Sequence, residues 1–403
     1  MMKCPFGCSH HTFPNRFNFC VRARKRKSLA ILVSVLIVAL LLLNYGFLGT
    51  PQIEESPDFF VGVDVAYADL AAIKRLIDEI SPYTNLFVIG STGITYNVTK
   101  LNEVCAYVYD RGMYFMIYLH PDPEQLDEQR QWVEDAKVKW SQNFIGLYAY
   151  DEPGGRTLDK SEYRVFIEAA DNVTDAAEMY VNQLKEILRY TREDPINSGN
   201  LTLFTSDYAL YWFDYKGGYD VVFAEFGWNY SRQLNVALDR GAATVQNKDW
   251  GVMITWTYNH PPYIESGKEL YEDMILAYNN GAKYILVFDT NKNYTESILE
   301  EEHFEALEQF WQYTKDNPRN NLQVEKRVAY VLPKGCGYGF RGPDDKIWGL
   351  WEHNERSLEI SYHLGYFLEE YGTKLDIIYD DDIKINELYS KYIFWNGTII
   401  SDS

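Results

Sequence analysis

Short apolar runs alternate with amphipathic segments along most of the chain. Each run has five to nine residues rich in aliphatic and aromatic side chains, which is typical of buried β-strands. The runs occupy residues 59–67, 85–90, 113–119, 144–150, 201–206, 220–224, 250–255 and 283–288. Between them, helical spacing predicts helices over 70–80, 99–111, 123–140, 160–191, 234–240, 266–279 and 300–315, with a break at 171–174.

This alternation predicts an α/β fold. Eight apolar runs that alternate with amphipathic segments over about 260 residues match the size of a (β/α)8 TIM barrel, which we assign to residues 59–317. An open doubly wound sheet is the alternative. That fold requires a Gly-rich phosphate loop after its first strand, whereas the chain has Asp64-Val65-Ala66-Tyr67 there.

The composition shifts after Asn317-Pro318, where a second pattern begins. Strands at 327–332, 375–379 and 392–395 and a helix at 356–371 form a β-α-β unit, which predicts a small flavodoxin-like domain over residues 324–403. Its segment 333–350 is rich in Gly and aromatic residues. We expect that loop to cover the barrel mouth, with Tyr338 and Trp348 near Glu152, or else to be an ordinary surface loop.

The N-terminal region has the pattern of a membrane anchor. Residues 28–48 carry no charge and are long enough to span a bilayer. Residues 1–27 carry seven basic residues and no acid, which predicts a cytoplasmic tail. After a linker at 49–58, the remaining domains would lie outside the cell, in a single-pass protein of the cell membrane. A cleaved signal peptide is the alternative, although residues 45–49 make a poor cleavage site.

Charge and sequons agree with an outside location. Without the seven basic residues of the tail, 31 Lys and Arg stand against 58 Asp and Glu, a formal net charge of −27. Such a chain repels nucleic acid, so no nucleic-acid partner is expected. Six Asn-x-Ser/Thr sequons occur, at Asn97, Asn172, Asn200, Asn229, Asn293 and Asn396.

Cysteine usage excludes a disulfide framework for the outside domains. Only Cys105 and Cys336 lie beyond the tail, so the fold must be held by its core. The tail contains Cys4, Cys8, His10, His11 and Cys20. These residues suit either a cytoplasmic zinc site of irregular spacing or a disordered tail.

The stretch 144–155 carries the clearest chemical signal. An apolar run ends in Asp151-Glu152 and is followed by Pro153-Gly154-Gly155, which predicts a strand that delivers two carboxylates to its C-terminal end before a sharp turn. Other strand ends also carry polar or aromatic residues, and strand ends of a barrel share one mouth. The full set is Asp64, His120, Asp151, Glu152, Asp207, Glu225, Trp256, Tyr258 and Asp289.

A structural role competes with a chemical one at each of these positions. An Asp after a strand commonly caps the following helix, and Asp207 and Asp289 in particular fit that role. Glu is a poor cap, so Glu152 and Glu225 indicate chemistry more strongly. The aromatic residues Trp228, Trp256 and Tyr258 can stack on sugar rings or simply pack in the core.

Two carboxylates across an aromatic cleft are what glycosidic bond cleavage needs. We predict Glu152 as the general acid, since the neighbouring Asp151 raises its pKa. Glu225 is the predicted nucleophile or base, with Asp151 as its competitor. The predicted substrate-binding residues are Asp64, His120, Asp207, Trp228, Trp256, Tyr258 and Asp289.

Other chemistries find little support in the sequence. The His residues outside the tail lack the spacing of zinc ligands, and no Gly-x-Ser-x-Gly elbow or nucleotide-binding P-loop occurs. We therefore expect no metal in the barrel and no cofactor.

With these residues assigned, the chain resembles a β/α-barrel glycoside hydrolase. Tyr150-Asp151-Glu152-Pro153 is similar to the Asn-Glu-Pro ending of strand four in the large retaining clan, where Glu is the acid/base. Asp151 replaces the Asn, and strand seven lacks the nucleophilic Glu of that clan. The adjacent Asp-Glu pair is closer to barrel hexosaminidases, in which Asp orients the substrate's acetamido group and Glu is the acid. Other barrel glycosidases place carboxylates on strands four and six, which would match Glu152 and Glu225.

The resemblance extends to the domain order, because a flavodoxin-like domain follows the barrel in some β-galactosidases. The resemblance implies a glycoside hydrolase, and together with the predicted N-terminal anchor it gives a membrane-anchored extracellular enzyme that acts on surface polysaccharide or glycan. A non-catalytic barrel that binds glycans or organises the envelope is the alternative, and a glycosyl-transferring enzyme is a third reading. The sugar, the linkage, the stereochemical outcome and the oligomeric state remain open.

Overall fold

The computed structural model describes residues 57–119, 126–192, 201–319, 326–381 and 388–401. The predicted basic tail, transmembrane segment and most of the linker lie outside these residues, as does His120. Within the described ranges, no helix combines the length and the apolar composition needed to cross a bilayer.

Eight parallel strands close into a barrel, which confirms the predicted TIM fold. The strands are hydrogen-bonded in chain order, and β8 pairs with β1 to close the ring, with Asp64 opposite Phe288. Their bounds are β1 Phe60–Val65, β2 Leu86–Ile89, β3 Tyr114–Tyr118, β4 Phe144–Tyr148, β5 Thr202–Asp207, β6 Val221–Phe226, β7 Asp249–Ile254 and β8 Tyr284–Phe288.

The barrel interior is filled by side chains rather than open. Inward-facing residues form a separate buried cluster, made of Phe60, Leu86, Val88, Met116, Tyr148, Phe204, Val221, Phe223, Met253, Tyr284 and Leu286. Because side chains alternate along a strand, the residues two positions further on also face inward. Those residues include Ser206 after Phe204 and Glu225 after Phe223, and Asp64 shares the inward side with Phe60. The top of the core is therefore polar.

The described helices are α1 Leu70–Ile80, α2 Thr92–Thr95, α3 Val98–Asp110, α4 Leu126–Trp140, α5 Pro153–Asp159, α6 Ser161–Arg164, α7 Val173–Arg192, α8 Tyr211–Gly217, α9 Arg232–Gln246, α10 Gly267–Asn279, α11 Glu301–Asp316 and α12 Glu355–Tyr371. The structure agrees with the predicted break near residue 171. It corrects the sequence analysis at α5, where a turn was predicted, and at α8, which was not predicted.

A four-stranded sheet follows the barrel. Its strands are β9 Arg327–Leu332, β10 Leu375–Tyr379, β11 Tyr389–Phe394 and β12 Ile399–Ser401, in the order β10-β9-β11-β12. The first three are parallel, and β12 is antiparallel to β11. The described part thus contains the predicted β-α-β unit, while the assignment to the flavodoxin-like class stays a prediction.

The sheet is fixed to the barrel helices by one buried carboxylate. Asp376 on β10 is fully buried and accepts hydrogen bonds from Arg240 of α9 (2.7 Å), from Arg327 of β9 (2.6 Å) and from Tyr389 (2.9 Å). A buried charge is stable only when it is paired in this way. The barrel and the sheet accordingly belong to one compact unit.

The loop at 333–350 anchors its aromatic side chains in this interface. Trp348 is fully buried and packs against Phe213 (4.9 Å between ring centroids) and Tyr180 (5.5 Å). Its Nε1 donates to Gly335 O at 2.8 Å. Tyr338 is also buried. Both rings are therefore packing side chains of the fold, and the expectation that the loop covers the barrel mouth stays a prediction.

The replacement Trp348→Ala is expected to cost about 3–5 kcal/mol of unfolding free energy, because it leaves a large cavity among packed rings. Denaturant unfolding measures the change. Tyr362→Ala is the matched control, since Tyr362 is 77% exposed and its loss should change stability little. A Trp348→Ala protein with unchanged stability but altered turnover would show that the ring acts at the mouth after all.

Candidate active site

The turn that follows β4 is strained at two positions. Tyr150 and Glu152 both adopt left-handed backbone conformations, with φ of 56° and 51°, although neither is Gly. Each such residue costs of order 1–3 kcal/mol and persists only where its surroundings hold it. The two left-handed residues lie on either side of Asp151, and they turn the chain so that α5 begins directly at Pro153. Pro at the first helical position suits this start, since its missing N–H would have no helical partner.

Strand β5 holds this turn at three consecutive residues. Thr205 Oγ1 donates to Tyr150 O at 2.6 Å, and Glu152 N donates to Ser206 O at 3.0 Å. The carboxylate of Asp207 accepts the first free amides of α5, from Gly154 N (2.5 Å) and Gly155 N (2.8 Å). These contacts fix the positions of Asp151 and Glu152 from the neighbouring strand.

Hydroxyl groups connect the carboxylates of strands four and six. Tyr148 Oη donates to Asp151 Oδ1 at 2.6 Å and lies 2.9 Å from Ser206 Oγ. Ser206 Oγ in turn lies 2.9 Å from Glu225 Oε1 and 3.3 Å from Asp151 Oδ1. Because they share one hydroxyl, the nearest oxygens of Asp151 and Glu225 are within about 6 Å of each other.

Arg156 pairs with both carboxylates of the turn. Its Nη2 lies 2.6 Å from Asp151 Oδ2, and its Nε lies 3.0 Å from Glu152 Oε2. Arg156 is one helical turn after Glu152, so α5 itself aligns the pair. The side chains of Asp151 and Glu152 remain 35% and 27% exposed, so both reach the solvent at the mouth.

Burial and neighbouring charges raise the pKa values of the two glutamates of the site. Burial, followed by the charge of Asp151, raises the pKa of Glu152, while Arg156 opposes the shift. Burial, together with Glu152 and Asp151, raises the pKa of Glu225 well above its usual range. Glu225 is only 5% exposed, on the inner side of the barrel wall. A Glu that holds a proton can protonate the leaving oxygen of a substrate, while a neighbouring carboxylate stabilises positive charge on the adjoining carbon.

Asp64 belongs to the same mouth. It is buried at the end of β1, and the carboxylate of Asp151 contributes to the upward shift of its pKa after burial. Its Oδ1 has no hydrogen-bond partner among the described residues. Gly90 leaves room for this oxygen, since a Cβ there would lie 2.4 Å from it.

The predicted aromatic residues line one side of the mouth. Trp256 is half-buried, packs on Phe288 (5.7 Å between ring centroids) and donates from Nε1 to Thr290 O at 2.7 Å. Trp228 is also half-buried, and Tyr258 is exposed, with its ring parallel to that of His260.

Tyr294 adds a further aromatic ring. It is 54% exposed, packs on Trp256 with 6.1 Å between ring centroids, and is close enough to Asp151 and Glu152 for their charges to raise its pKa. Flat rings beside carboxylates suit a sugar ligand.

Two of the predicted substrate-binding acids have structural contacts instead. Asp207 is fully buried and uses its oxygens for the amides of α5 and of Tyr208 and Ala209. Asp289 is fully buried and accepts from Ser297 Oγ, Ile298 N and Leu299 N. Both therefore match the capping alternative. Among the described residues, no group of three or more His, Cys, Asp or Glu side chains has the geometry of a metal site.

Sequence reasoning missed Tyr148, Ser206, Arg156 and Tyr294. Alternation along β4 and β5 could have identified Tyr148 and Ser206 as inward-facing polar residues at the strand ends. The spacing of four residues from Glu152 could have identified Arg156 once Pro153 was read as a helix start. Tyr294 comes from the loop after β8, and no local pattern indicates its contact with Trp256.

No protein-family model matches the chain, and no curated protein matches it. Solved structures with similar folds include the α-L-fucosidase isoenzyme 2 from Paenibacillus thiaminolyticus, at 12% identity and a TM-score of 0.51. That alignment covers 83% of this chain and 59% of the fucosidase, so the chain spans well under two thirds of that protein's length.

Two further structures align over less of the chain. The glycoside hydrolase family 5 enzyme of Prevotella bryantii B14, solved with a xyloglucan tetradecasaccharide, is 12% identical, covering 63% of this chain and 96% of its own, with a TM-score of 0.37. The pneumococcal virulence factor StrH is 11% identical, covering 64% and 84%, with a TM-score of 0.40. At these identities the likeness concerns the fold alone, and the chain has the barrel fold found in the fucosidase.

Proposed function

We propose that this protein is a glycoside hydrolase whose active site is the mouth of the barrel. The observation that carries the proposal is the cluster of Asp151, Glu152 and Glu225 at the ends of strands four and six. Ser206 links Asp151 to Glu225, and Arg156 links Asp151 to Glu152. Aromatic side chains lie beside it, as sugar-binding clefts require. The same fold occurs in the fucosidase, which makes the proposal consistent with a known use of this architecture.

Glu152 is the proposed general acid. Its raised pKa keeps a proton available, and its partial exposure lets a glycosidic oxygen approach. The proton moves to that oxygen as the bond between it and the anomeric carbon breaks. Water then forms the new bond to the anomeric carbon, and its proton passes to Glu152 when water arrives on the face of the leaving group, or to the second carboxylate when it arrives on the opposite face.

Asp151 is favoured over Glu225 as the second carboxylate. Its carboxylate lies 2.6 Å from Arg156 Nη2 and reaches the solvent, so it can stabilise the positive anomeric carbon or orient an acetamido group of the substrate. Glu225 is nearly buried and its raised pKa favours the neutral form. We assign to Glu225 the role of fixing Ser206, and through it Asp151.

One observation supports the non-catalytic alternative. Arg156 pairs with an oxygen of both Asp151 and Glu152, and an ion pair favours the ionised carboxylate, which has no proton to give to a substrate. A glycan-binding barrel needs no free acid. In the hydrolase, a bound substrate must therefore displace Arg156 from Glu152 while leaving it on Asp151.

Incubation of the full-length protein with a panel of oligosaccharides and aryl glycosides of both anomeric configurations tests the function. Release of reducing ends, with the stereochemistry followed by NMR, would support a hydrolase. Binding of glycans by calorimetry without product from any member of the panel would instead support the glycan-binding barrel. The Glu152→Gln variant serves as the inactive reference.

We further propose that the protein is anchored in the cell membrane, with the barrel outside. The uncharged segment 28–48 after a basic tail supports this topology. Five of the six sequon asparagines are exposed and open to modification: Asn97, Asn172, Asn229, Asn293 and Asn396. Asn200 lies outside the described residues.

Protease added to intact cells is expected to digest everything beyond the anchor, because residues 57–403 would face the medium. Immunoblotting with an antibody against the C-terminus measures the loss. A cytoplasmic protein probed in the same samples controls for cell integrity. Complete protection of the barrel in intact cells, with digestion after permeabilisation, would contradict the topology.

A further inference from the structure

The carboxyl group of Asp64 is the most unusual polar group of the mouth. The side chain is 2% exposed, and its Oδ1 has no hydrogen-bond partner in the described part of the chain. A buried acceptor without a partner costs about 1–3 kcal/mol. Asp64 faces into the barrel beneath the mouth, and its Oδ1 lies beside Gly90 with almost no exposed surface, so a ligand that supplies the missing donor must enter the mouth as far as the ends of β1 and β2.

The charges around Asp64 are mostly negative. Asp151 acts electrostatically on Asp64, and Glu152 and Glu225 act on each other. Arg156 pairs with both Asp151 and Glu152, and Lys160 also acts on Glu152, so these cations offset part of the negative charge. Among the described residues neither Asp64 nor Glu225 forms an ion pair. The tyrosine hydroxyls nearby, such as Tyr148, supply no positive charge.

This arrangement selects the charge of the ligand. A uronic acid would place another carboxylate among these groups, and like charges at short range are strongly unfavourable. A protonated amine carries three N–H donors and no acceptor, so it suits unpaired carboxyl oxygens. We propose that the substrate is a glycoside of an amino sugar with a free ammonium group, and that Asp64 binds this group. The inference rests on the proposed function and specifies its substrate class.

Protonation is consistent with this assignment. Burial, followed by the charge of Asp151, raises the pKa of Asp64 well above its usual range, which favours the neutral form. An ammonium group beside Asp64 would favour the ionised carboxylate instead. The strongly acidic chain outside the anchor also attracts a polymer of cationic sugars over a longer range.

The test compares sugars that differ only in the substituent at C2. Methyl glycosides of glucosamine, N-acetylglucosamine and glucose, and the corresponding galacto series, are titrated into the full-length protein by calorimetry at neutral pH. The amino compound of at least one series is expected to bind about tenfold or more tightly than its two counterparts, as a hydrogen bond to a charged group allows. Equal binding within both series, or preference for an N-acetyl or hydroxyl compound, would overturn the inference.

The replacement Asp64→Asn isolates the residue, because it removes the charge and keeps the shape. It is expected to abolish the preference for the amino compound and to leave the binding of neutral sugars little changed. Asp249→Asn is the control, since Asp249 is exposed at the first residue of β7, at the opposite end of the barrel, and its loss changes the net charge equally. An equal loss of preference in both variants would mean long-range charge rather than contact, and would overturn the role of Asp64.

The outcomes also separate this inference from the proposed function. Hydrolysis of neutral or N-acetylated glycosides without any preference for the amino form would overturn the inference and leave the hydrolase standing. Asp64-dependent binding of the amino sugar without turnover of its glycosides would support the inference and contradict the hydrolase. If Asp64→Asn does not fold, the wild-type comparison decides alone.

Discussion

The replacement Glu152→Gln is expected to reduce turnover of an unactivated glycoside by about 10²- to 10⁴-fold, because Gln has the shape of Glu but no proton to give to the leaving oxygen. Steady-state kinetics of the purified variant measure the loss. Binding should survive, since Gln can still accept hydrogen bonds at the same place. Arg156 also keeps its contact with Asp151 in this variant.

Substrates with good leaving groups sharpen this test. An aryl glycoside with an acidic phenol needs little protonation, so Glu152→Gln should slow its hydrolysis much less. Glu162→Gln is the matched control, because Glu162 is exposed on the next short helix and has no part in the network. Equal losses on both classes of substrate would assign Glu152 a role other than general acid.

The sequence predicted the barrel because each strand can be recognised from the apolar run of its own residues. All eight apolar runs became strands within a few residues of their predicted bounds. The signal is strong since a parallel barrel buries both faces of a strand, so nearly every position is apolar. The polar residues that interrupt this rule, such as Glu225, are the ones at the mouth.

Short helices at the mouth could not be predicted in the same way. Helix α8, Tyr211–Gly217, is buried on nearly all sides, so its residues show no amphipathic period. Helix α5 begins with Pro153-Gly154-Gly155, a composition that favours a turn. It forms because Asp207, more than 50 positions away in the chain, accepts its first amides. A contact between distant residues leaves no local pattern.

The sequence identified the charged residues of the candidate site, but it did not identify the hydrogen bonds that connect them. Asp151, Glu152 and Glu225 were named from strand ends, and hydrogen bonds link Asp151 to Glu225 through Ser206. The roles of Asp207 and Asp289 depended on which amides lie within reach, and that is a property of the folded chain. The place of the loop at 333–350 stayed between two alternatives, because Trp348 alone gives no sign of whether a core or a mouth receives it; in the fold its ring is buried.

Buried acids should also make the stability of the protein depend on pH in a defined direction. Burial raises the pKa of several carboxyl groups, namely Asp64, Asp207, Asp214, Glu225 and Asp239, and brings that of Asp207 to about 7. In the unfolded chain these groups titrate near pH 4. Between about pH 4 and 7 the native state therefore binds more protons than the unfolded state does.

Stability is consequently expected to fall as pH rises through this window. The slope is about 1.4 kcal/mol per pH unit for each proton by which the two states differ. Groups with a lowered pKa, such as Asp69 and Asp78, act in the opposite direction but only below about pH 4. The denaturant midpoint should thus be higher at pH 5 than at pH 8.

Two variants identify the groups that are responsible. Asp214 and Asp239 each have one carboxyl oxygen without a described hydrogen-bond partner, while the other oxygen accepts from a buried tyrosine, Tyr180 (2.5 Å) or Tyr215 (3.0 Å). Asn keeps that acceptor and removes the titration, so Asp214→Asn and Asp239→Asn should each reduce the fall of the denaturant midpoint between pH 5 and 8.

Asp110→Asn is the control, since Asp110 is exposed, and it should leave the pH dependence of the midpoint unchanged. A midpoint that stays constant or rises across this range in the wild-type protein would mean that these acids are ionised in the native state, and that their burial is relieved by contacts with water.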